Sequence, residues 1–215
     1  MVEKFFSILK KTSDDLDKPE NQTLTGKYVQ LEPLHEKHKE DLHKASQDDR
    51  IWTYNFIRLD APDRFDRWFT AALFAHKSDA SIVYAIRLLK NHKIIGTTRF
   101  YDYATALKRL KIGFTWYHPD YWGTNVNPES KLLLLQHAFE QLHVNRVSFE
   151  ADARNIRSLR AIKSLGAKHE GILRHHVQYE NGYIRDTSVF SIIAKEWPEV
   201  RKLLEKRITD NKLAS

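Results

Sequence analysis

The chain has 215 residues, a length that suits one well-cored domain, and carries 35 Lys and Arg against 28 Asp and Glu, a formal net charge of +7. It has no cysteine, which excludes disulfides, a thiolate nucleophile and cysteine-ligated zinc. No apolar run approaches the roughly 18 residues of a bilayer span, Met1 to Lys11 lacks a signal-peptide cleavage pattern, and no block of Lys and Arg marks a nucleic-acid arm. The expectation is a cytoplasmic protein with no membrane and no direct nucleic-acid partner. Eleven histidines invite a metal reading, but none forms a His-x-x-x-His pair bracketed by glutamate, and no metal is expected.

Residues 1–22 read as an N-terminal extension, a short amphipathic start followed by a polar linker, and residues 23–208 as the folded domain. Tyr28 to Leu31 alternates as a strand. Pro33 through Gln47 supports a helix with Leu34, His38, Leu42 and Ala45 on one face, and Pro62 to His76 a second helix carrying Phe65, Trp68, Phe69, Ala72 and Leu73. Ile82 to Leu89, Ile94 to Tyr101 and Leu110 to Tyr117 then form an antiparallel meander, with Asn91-His92 as a turn. Glu129 to Leu142 has a wide apolar helical stripe. Arg146 to Ala151 is a strand, Asn155 to Leu165 a helix ended by Gly166, and Ile172 to Val177 and Thr187 to Ile193 are strands flanking the hairpin signal Asn181-Gly182. Glu196 to Arg207 is a terminal helix. This order gives an α+β fold, a mixed and mostly antiparallel central sheet with flanking helices and one strand–helix–strand crossover at its centre.

The segment Trp122-Gly123-Thr124-Asn125-Val126-Asn127-Pro128-Glu129 lies at that crossover. A strand-to-helix turn leaves the first helical N–H groups unpaired and facing the positive end of the helix dipole, an anion site at the carboxyl end of a strand. Gly123 permits a positive φ, and Asn125 and Asn127 are the non-glycine residues that best tolerate one. A tight loop with an ordinary helix start reads equally well from this segment alone.

Downstream, Asp152-Ala153-Arg154-Asn155-Ile156-Arg157-Ser158 opens a helix that closes on Lys163-Ser164-Leu165-Gly166-Ala167, followed by Glu170-Gly171-Ile172-Leu173-Arg174. This succession, Asn-x-x-Ser, Lys-x-x-Gly-Ala, Glu-Gly-x-Leu-Arg, resembles the carboxyl half of a GNAT-family N-acetyltransferase, in the branch similar to ribosomal-protein alanine and serine acetyltransferases. The resemblance covers about Thr25 to Glu196. It implies a GNAT-like acyl-coenzyme A N-acyltransferase fold and an acetyltransferase that moves acetyl from acetyl-coenzyme A to a primary amine, a protein N-terminus or a small molecule, by direct attack in a ternary complex. A non-catalytic acyl-coenzyme A or ribosome-associated module on the same fold is the alternative, and a homodimer is expected.

For the site, the resemblance implies that backbone amides of Trp122, Gly123, Thr124, Asn125, Val126 and Asn127 bind the coenzyme A pyrophosphate. The family pattern Gln/Arg-x-x-Gly-x-Gly/Ala is departed from at Trp122, Asn125 and Asn127, so both asparagines must adopt the needed angles. It implies a strand Ile112 to Tyr117 that splays from the next strand around a bulge, with pantetheine pairing to backbone near Phe114 and Trp116. Asn155 and Ser158 fall on one face of a first turn, where Asn155 reads as an N-cap and Ser158 as a first-turn hydroxyl. The resemblance adds pantetheine contact for Asn155 and protonation of the departing thiolate for Ser158. Some relatives place a basic carboxylate where this chain has Val177; His176 and Glu150 are the candidate replacements, each equally readable as an ordinary strand residue.

Overall fold

The computed structural model describes residues 22–55, 58–59, 61–179 and 182–210. The expected N-terminal extension lies outside these residues except for Gln22, which hydrogen-bonds the His137 ring at 3.0 Å, and so does Asn181 of the hairpin signal.

The strands are β1 (Leu24–Thr25), β2 (Val29–Pro33), β3 (Ser81–Leu88), β4 (Ile94–Ala104), β5 (Arg109–Tyr117), β6 (Arg146–Asp152), β7 (Lys168–Gln178) and β8 (Ile184–Ile193). They form one sheet in the order β1-β2-β3-β4-β5-β6-β8-β7. Neighbours are antiparallel except β5 and β6, which are parallel and joined by the expected crossover helix. The helices are α1 (Lys39–Ala45), α2 (Pro62–Lys77), α3 (Val126–Gln136), α4 (Ile156–Lys163) and α5 (Trp197–Asp210). Among the described residues no helix is long and apolar enough to cross a membrane.

Strand alternation gives the sheet two apolar faces. In β3, Ile82, Tyr84 and Ile86 join Leu134 and Leu135 of α3, Ala138 just beyond its end and Leu204 of α5 in one cluster. Val83 and Ala85 point the other way, into a second cluster with Leu42 of α1 and Phe65, Phe69 and Leu73 of α2. Burying both faces makes a three-layer body with the sheet in the middle. Gly96 leaves β4 room against β5: a Cβ there would lie 2.0 Å from the Trp116 carbonyl oxygen.

Some boundaries differ from expectation for local reasons. The first helix begins later because the Leu34 N–H still pairs with the Val83 carbonyl at 2.8 Å, holding the chain to the sheet. A 3₁₀ turn at Glu36–His38, capped by His35, intervenes. The crossover helix begins earlier, at Val126, because Thr124 Oγ1 accepts the Val126 N–H at 3.3 Å. It then widens into a π turn over His137–Gln141. Its Glu129 is not a surface acid at the helix dipole. It is 4% exposed, and its carboxylate accepts the N–H groups of Lys27, Tyr28 and Val29 at 2.7, 2.7 and 2.8 Å, tying the β1–β2 turn to α3.

Three backbone donors converging on one buried carboxylate leave no apolar substitute. Glu129→Ala strands them all, and urea unfolding should show a loss of roughly 3 kcal/mol or more at an unchanged denaturant slope. A loss under about 1 kcal/mol would show that the turn does not depend on this carboxylate.

Candidate active site

β5 and β6 are registered only through Arg109↔Arg146, Leu110↔Val147 and Lys111↔Ser148. Beyond Lys111 they part. On its other edge β5 stays paired with β4, but the register shifts between Thr97↔Trp116 and Arg99↔Gly113, so β5 carries an extra residue across from Thr98. The bulge falls at Phe114, whose φ is +50°, a conformation costing a bulky residue of order 1–3 kcal/mol. Contacts hold it there: the Phe114 ring meets Tyr101 edge-on at 5.0 Å and lies under the Arg99 guanidinium at 4.4 Å. The splay and bulge expected for Ile112 to Tyr117 are therefore present.

The parted strands open a cleft of about 500 Å³. Its β5 wall includes Gly113, Phe114, Thr115, Trp116 and Tyr117; its far wall Glu150, Asp152, Asn155, Arg157 and Ser158; its end Trp122, Gly123 and Asn127. Free strand edge, helix N-terminus and the start of α4 thus share one concavity. The Trp116 side chain turns away from it, packing edge-on against Trp52 and Trp68 at 5.5 and 5.9 Å, so Trp116 offers the cleft its backbone.

The Trp122–Asn127 turn corrects one expectation. Only Gly123 takes a positive φ, +77°. Asn125 has helical angles, φ −70° and ψ −9°, and Asn127 lies within α3. Their side chains explain them instead. Asn125 is buried and donates through Nδ2 to the Ile208 carbonyl at 3.1 Å, pinning α5 to the start of α3. Asn127 Oδ1 accepts the Tyr117 hydroxyl at 3.2 Å. The Val126 N–H is taken by Thr124 Oγ1, whereas the N–H groups of Gly123 and Thr124 have no acceptor among the described residues. A Cβ at Gly123 would meet no atom within 4 Å. The open donors are therefore fewer than expected and centred on Gly123.

Trp122 stands where the family pattern has Gln or Arg. Its Nε1 donates to the Tyr117 carbonyl at 3.1 Å, and the Arg157 guanidinium lies 3.3 Å over its ring. Burial lowers the Arg157 pKa from its ordinary value, so this cation sits partly desolvated at the end of the cleft. It comes from α4 rather than from the loop, and the sequence signal was the Trp122 substitution itself.

On the far wall Asn155 caps α4, Oδ1 accepting the Ser158 N–H at 3.0 Å, and both line the cleft. Glu150 also lines it, and is bound to the Lys111 ammonium at 2.7 Å. Asp152 lies deeper, its side chain 1% exposed. Burial raises its pKa, but the Arg154 guanidinium, at 2.9 Å from Oδ2, lowers it more, and the net shift is downward. Val177 lines the cleft as an apolar residue. His176 is not among the lining residues. Between Leu173 and Val177 the β7–β8 register slips, with His175 at φ +50°, and His176 is exposed with Nδ1 on Thr187 Oγ1 at 3.1 Å. Simple alternation did not anticipate that bulge. Among the described residues no cluster of three His, Asp or Glu side chains is placed to hold a metal ion.

Sequence reasoning passed over Lys131, Arg157 and Asp152. Lys131 lines the cleft from α3 and is 5% exposed.

Comparison with known proteins agrees with this geometry. The family described as "Acetyltransferase (GNAT) domain" matches residues 29–168, well over half of the chain. A GCN5-related N-acetyltransferase from Brucella melitensis superposes with a TM-score of 0.86 at 28% identity, over 95% of this chain and 93% of that one. An uncharacterized N-acetyltransferase, p20, of Bacillus licheniformis is 25% identical over 114 residues, 53% of this chain and 63% of that protein. YdaF of Bacillus subtilis, a candidate ribosomal N-acetyltransferase, is 26% identical over 110 residues, 51% of this chain and 59% of that protein. The chain thus spans less than two thirds of these two relatives. Fold, cleft and sequence agree, and the chain belongs to the GNAT family of N-acetyltransferases, with relatives in the ribosomal-protein branch.

Proposed function

We propose that this acyltransferase moves acetyl from acetyl-coenzyme A to a primary amine, a protein N-terminus or a small amine, by direct attack in a ternary complex. The observation that carries the proposal is the parting of β5 and β6 at a bulge, with the unpaired amides of Gly123 and Thr124 at one end of the resulting cleft. Those amides, the positive end of α3 and the Arg157 guanidinium suit a pyrophosphate. The exposed edge of β5 near Phe114 and Trp116 suits the amide groups of pantetheine, which add to it as a further strand. A main-chain N–H at the bulge polarises the acetyl carbonyl.

Asn155 spends Oδ1 on its cap, leaving Nδ2 as the donor for pantetheine. Ser158, fixed by that cap, supplies a proton to the thiolate directly or through water. Glu150 reaches the cleft as the candidate base. A non-catalytic acyl-coenzyme A module is the second reading, favoured by Val177 in place of a carboxylate and by the pairing of Glu150 and Asp152 with Lys111 and Arg154.

Calorimetry with acetyl-coenzyme A should show one site per chain. Gly123→Val, which places a β-branched side chain at φ +77° over the open amides, should weaken binding at least about tenfold, while the backbone strain lowers the melting temperature by only a few degrees (~2–4 °C per kcal/mol) and leaves the protein folded. Absence of heat from the unaltered protein at millimolar ligand overturns the proposal. With an acceptor found by thiol release across amines and N-terminal peptides, Ser158→Ala should lower kcat by roughly 10²-fold at nearly constant coenzyme affinity. Coenzyme binding without thiol release from any acceptor selects the non-catalytic reading.

A further inference from the structure

Neither the fold nor the transfer as set out above uses Lys131. It projects from the buried face of α3, one turn after Asn127, and its Nζ hydrogen-bonds Thr98 Oγ1 at 3.0 Å and Thr115 Oγ1 at 2.7 Å. The two hydroxyls are themselves 2.8 Å apart. An ammonium has three N–H donors. Two are committed to neutral acceptors, and among the described residues the third has no acceptor and no carboxylate lies within ion-pairing distance. Burial alone pushes its pKa down, to about 7, with no charged neighbour contributing. The acids of the same cleft are engaged elsewhere, Glu150 with Lys111 and Asp152 with Arg154.

Buried lysines are normally paired, and an apolar residue of similar length would pack here at lower cost. The fold therefore gains little from this charge. Its position is specific: Thr115 directly follows Phe114 at the bulge, and Ser158 stands on the other wall. An acyl transfer generates an anion in that space. The amine nitrogen attacks the thioester carbon, the C–S electron pair leaves on sulfur, and the proton lost by the nitrogen ends on that sulfur as the free thiol.

Resting on the acetyltransferase reading, we infer that Lys131, held by Thr98 and Thr115, is a catalytic cation whose third N–H stabilises the coenzyme A thiolate as it departs. Without an anion Lys131 loses its proton near pH 7, but a thiolate beside it favours the ammonium as any opposite charge does. The proton is therefore held while the sulfur is charged, and Lys131 donates a hydrogen bond and supplies positive charge without giving the proton up.

The test needs no acceptor. Thiolate ultraviolet absorbance, titrated against pH for coenzyme A free and bound, reports the ionisation of the sulfur directly. In the unaltered protein the bound thiol should ionise at least about one pH unit below the free coenzyme. In Lys131→Met it should return to the free value, with coenzyme affinity by calorimetry unchanged within about threefold.

The same variant should melt at a higher temperature. Lys131 has a native pKa near 7 against an ordinary 10.5, so between those values the unfolded chain binds the proton and the native one does not, and stability rises with pH. The gain from methionine should thus be greatest at and below about pH 7 and fade as pH approaches 10.5. Equal ionisation of the bound thiol in both proteins overturns the inference, as does a Lys131→Met protein that is destabilised or fails to fold, because the lysine would then be structural. If the unaltered protein binds no coenzyme A, the acetyltransferase reading fails and the inference with it.

Discussion

The parting of two parallel strands after three registered pairs is the constraint on which the rest depends. β5 and β6 pair from Arg109↔Arg146 to Lys111↔Ser148 and then diverge inside a sheet whose faces are both buried. A sheet opened at its centre exposes backbone donors and acceptors that a buried environment does not tolerate unpaired. The neighbouring elements each answer part of that problem. β4 keeps β5 paired on one edge, with a bulge at Phe114. β8 holds β6 in full register from Arg146 to Asp152, so the far wall does not follow β5. The crossover helix α3 brings its N-terminus to the end of the gap, where the carboxyl ends of parallel strands gather ligands.

Keeping the gap open requires local choices that an ordinary core would reject. Phe114 has a left-handed backbone, and among the described residues Lys131 is a buried cation without a carboxylate and Arg99 a 9%-exposed guanidinium whose buried Nε has no hydrogen-bond partner. Arg99 lies over the Phe114 ring and Lys131 binds the hydroxyl of Thr115, so all three meet at one bulge. Functional sites are where such departures from local consistency collect. The surrounding structure compensates with rigid ties: Glu129 gathers three backbone N–H groups of the β1–β2 turn, and Asn125 fastens α5 to the start of α3.

Much of the architecture was legible because it is written in periodicity. The apolar residues Phe65, Phe69, Ala72 and Leu73 mark a helix and the apolar run from Ile82 marks a strand, and both are buried in the core. The pair Asn155 and Ser158 was legible from spacing, since a cap and its first-turn N–H are local. What was not legible is long-range. That Asn125 and Asn127 serve side-chain bonds to Ile208 and Tyr117 rather than left-handed angles depends on partners 83 and 10 residues away. His176, a candidate only through its place next to Val177, lies outside the cleft because the β7–β8 register slips between Leu173 and Val177, a bulge that strand periodicity does not announce. Lys131 did leave a sign: a lysine on the same helical face as Leu134, Leu135 and Ala138 is buried by its spacing alone.

The substitution of Trp122 for the family's Gln or Arg is best understood together with Arg157. A loop arginine brings charge to the pyrophosphate on a flexible stem, independently of the other wall. Here the charge comes from α4, and the Trp122 indole fixes the guanidinium plane at 3.3 Å, so the cation is ordered before any ligand arrives and less side-chain freedom is lost on binding. The arrangement also links the two walls, because Trp122 is held by the Tyr117 carbonyl at the end of β5 while Arg157 lies between Asn155 and Ser158 on α4.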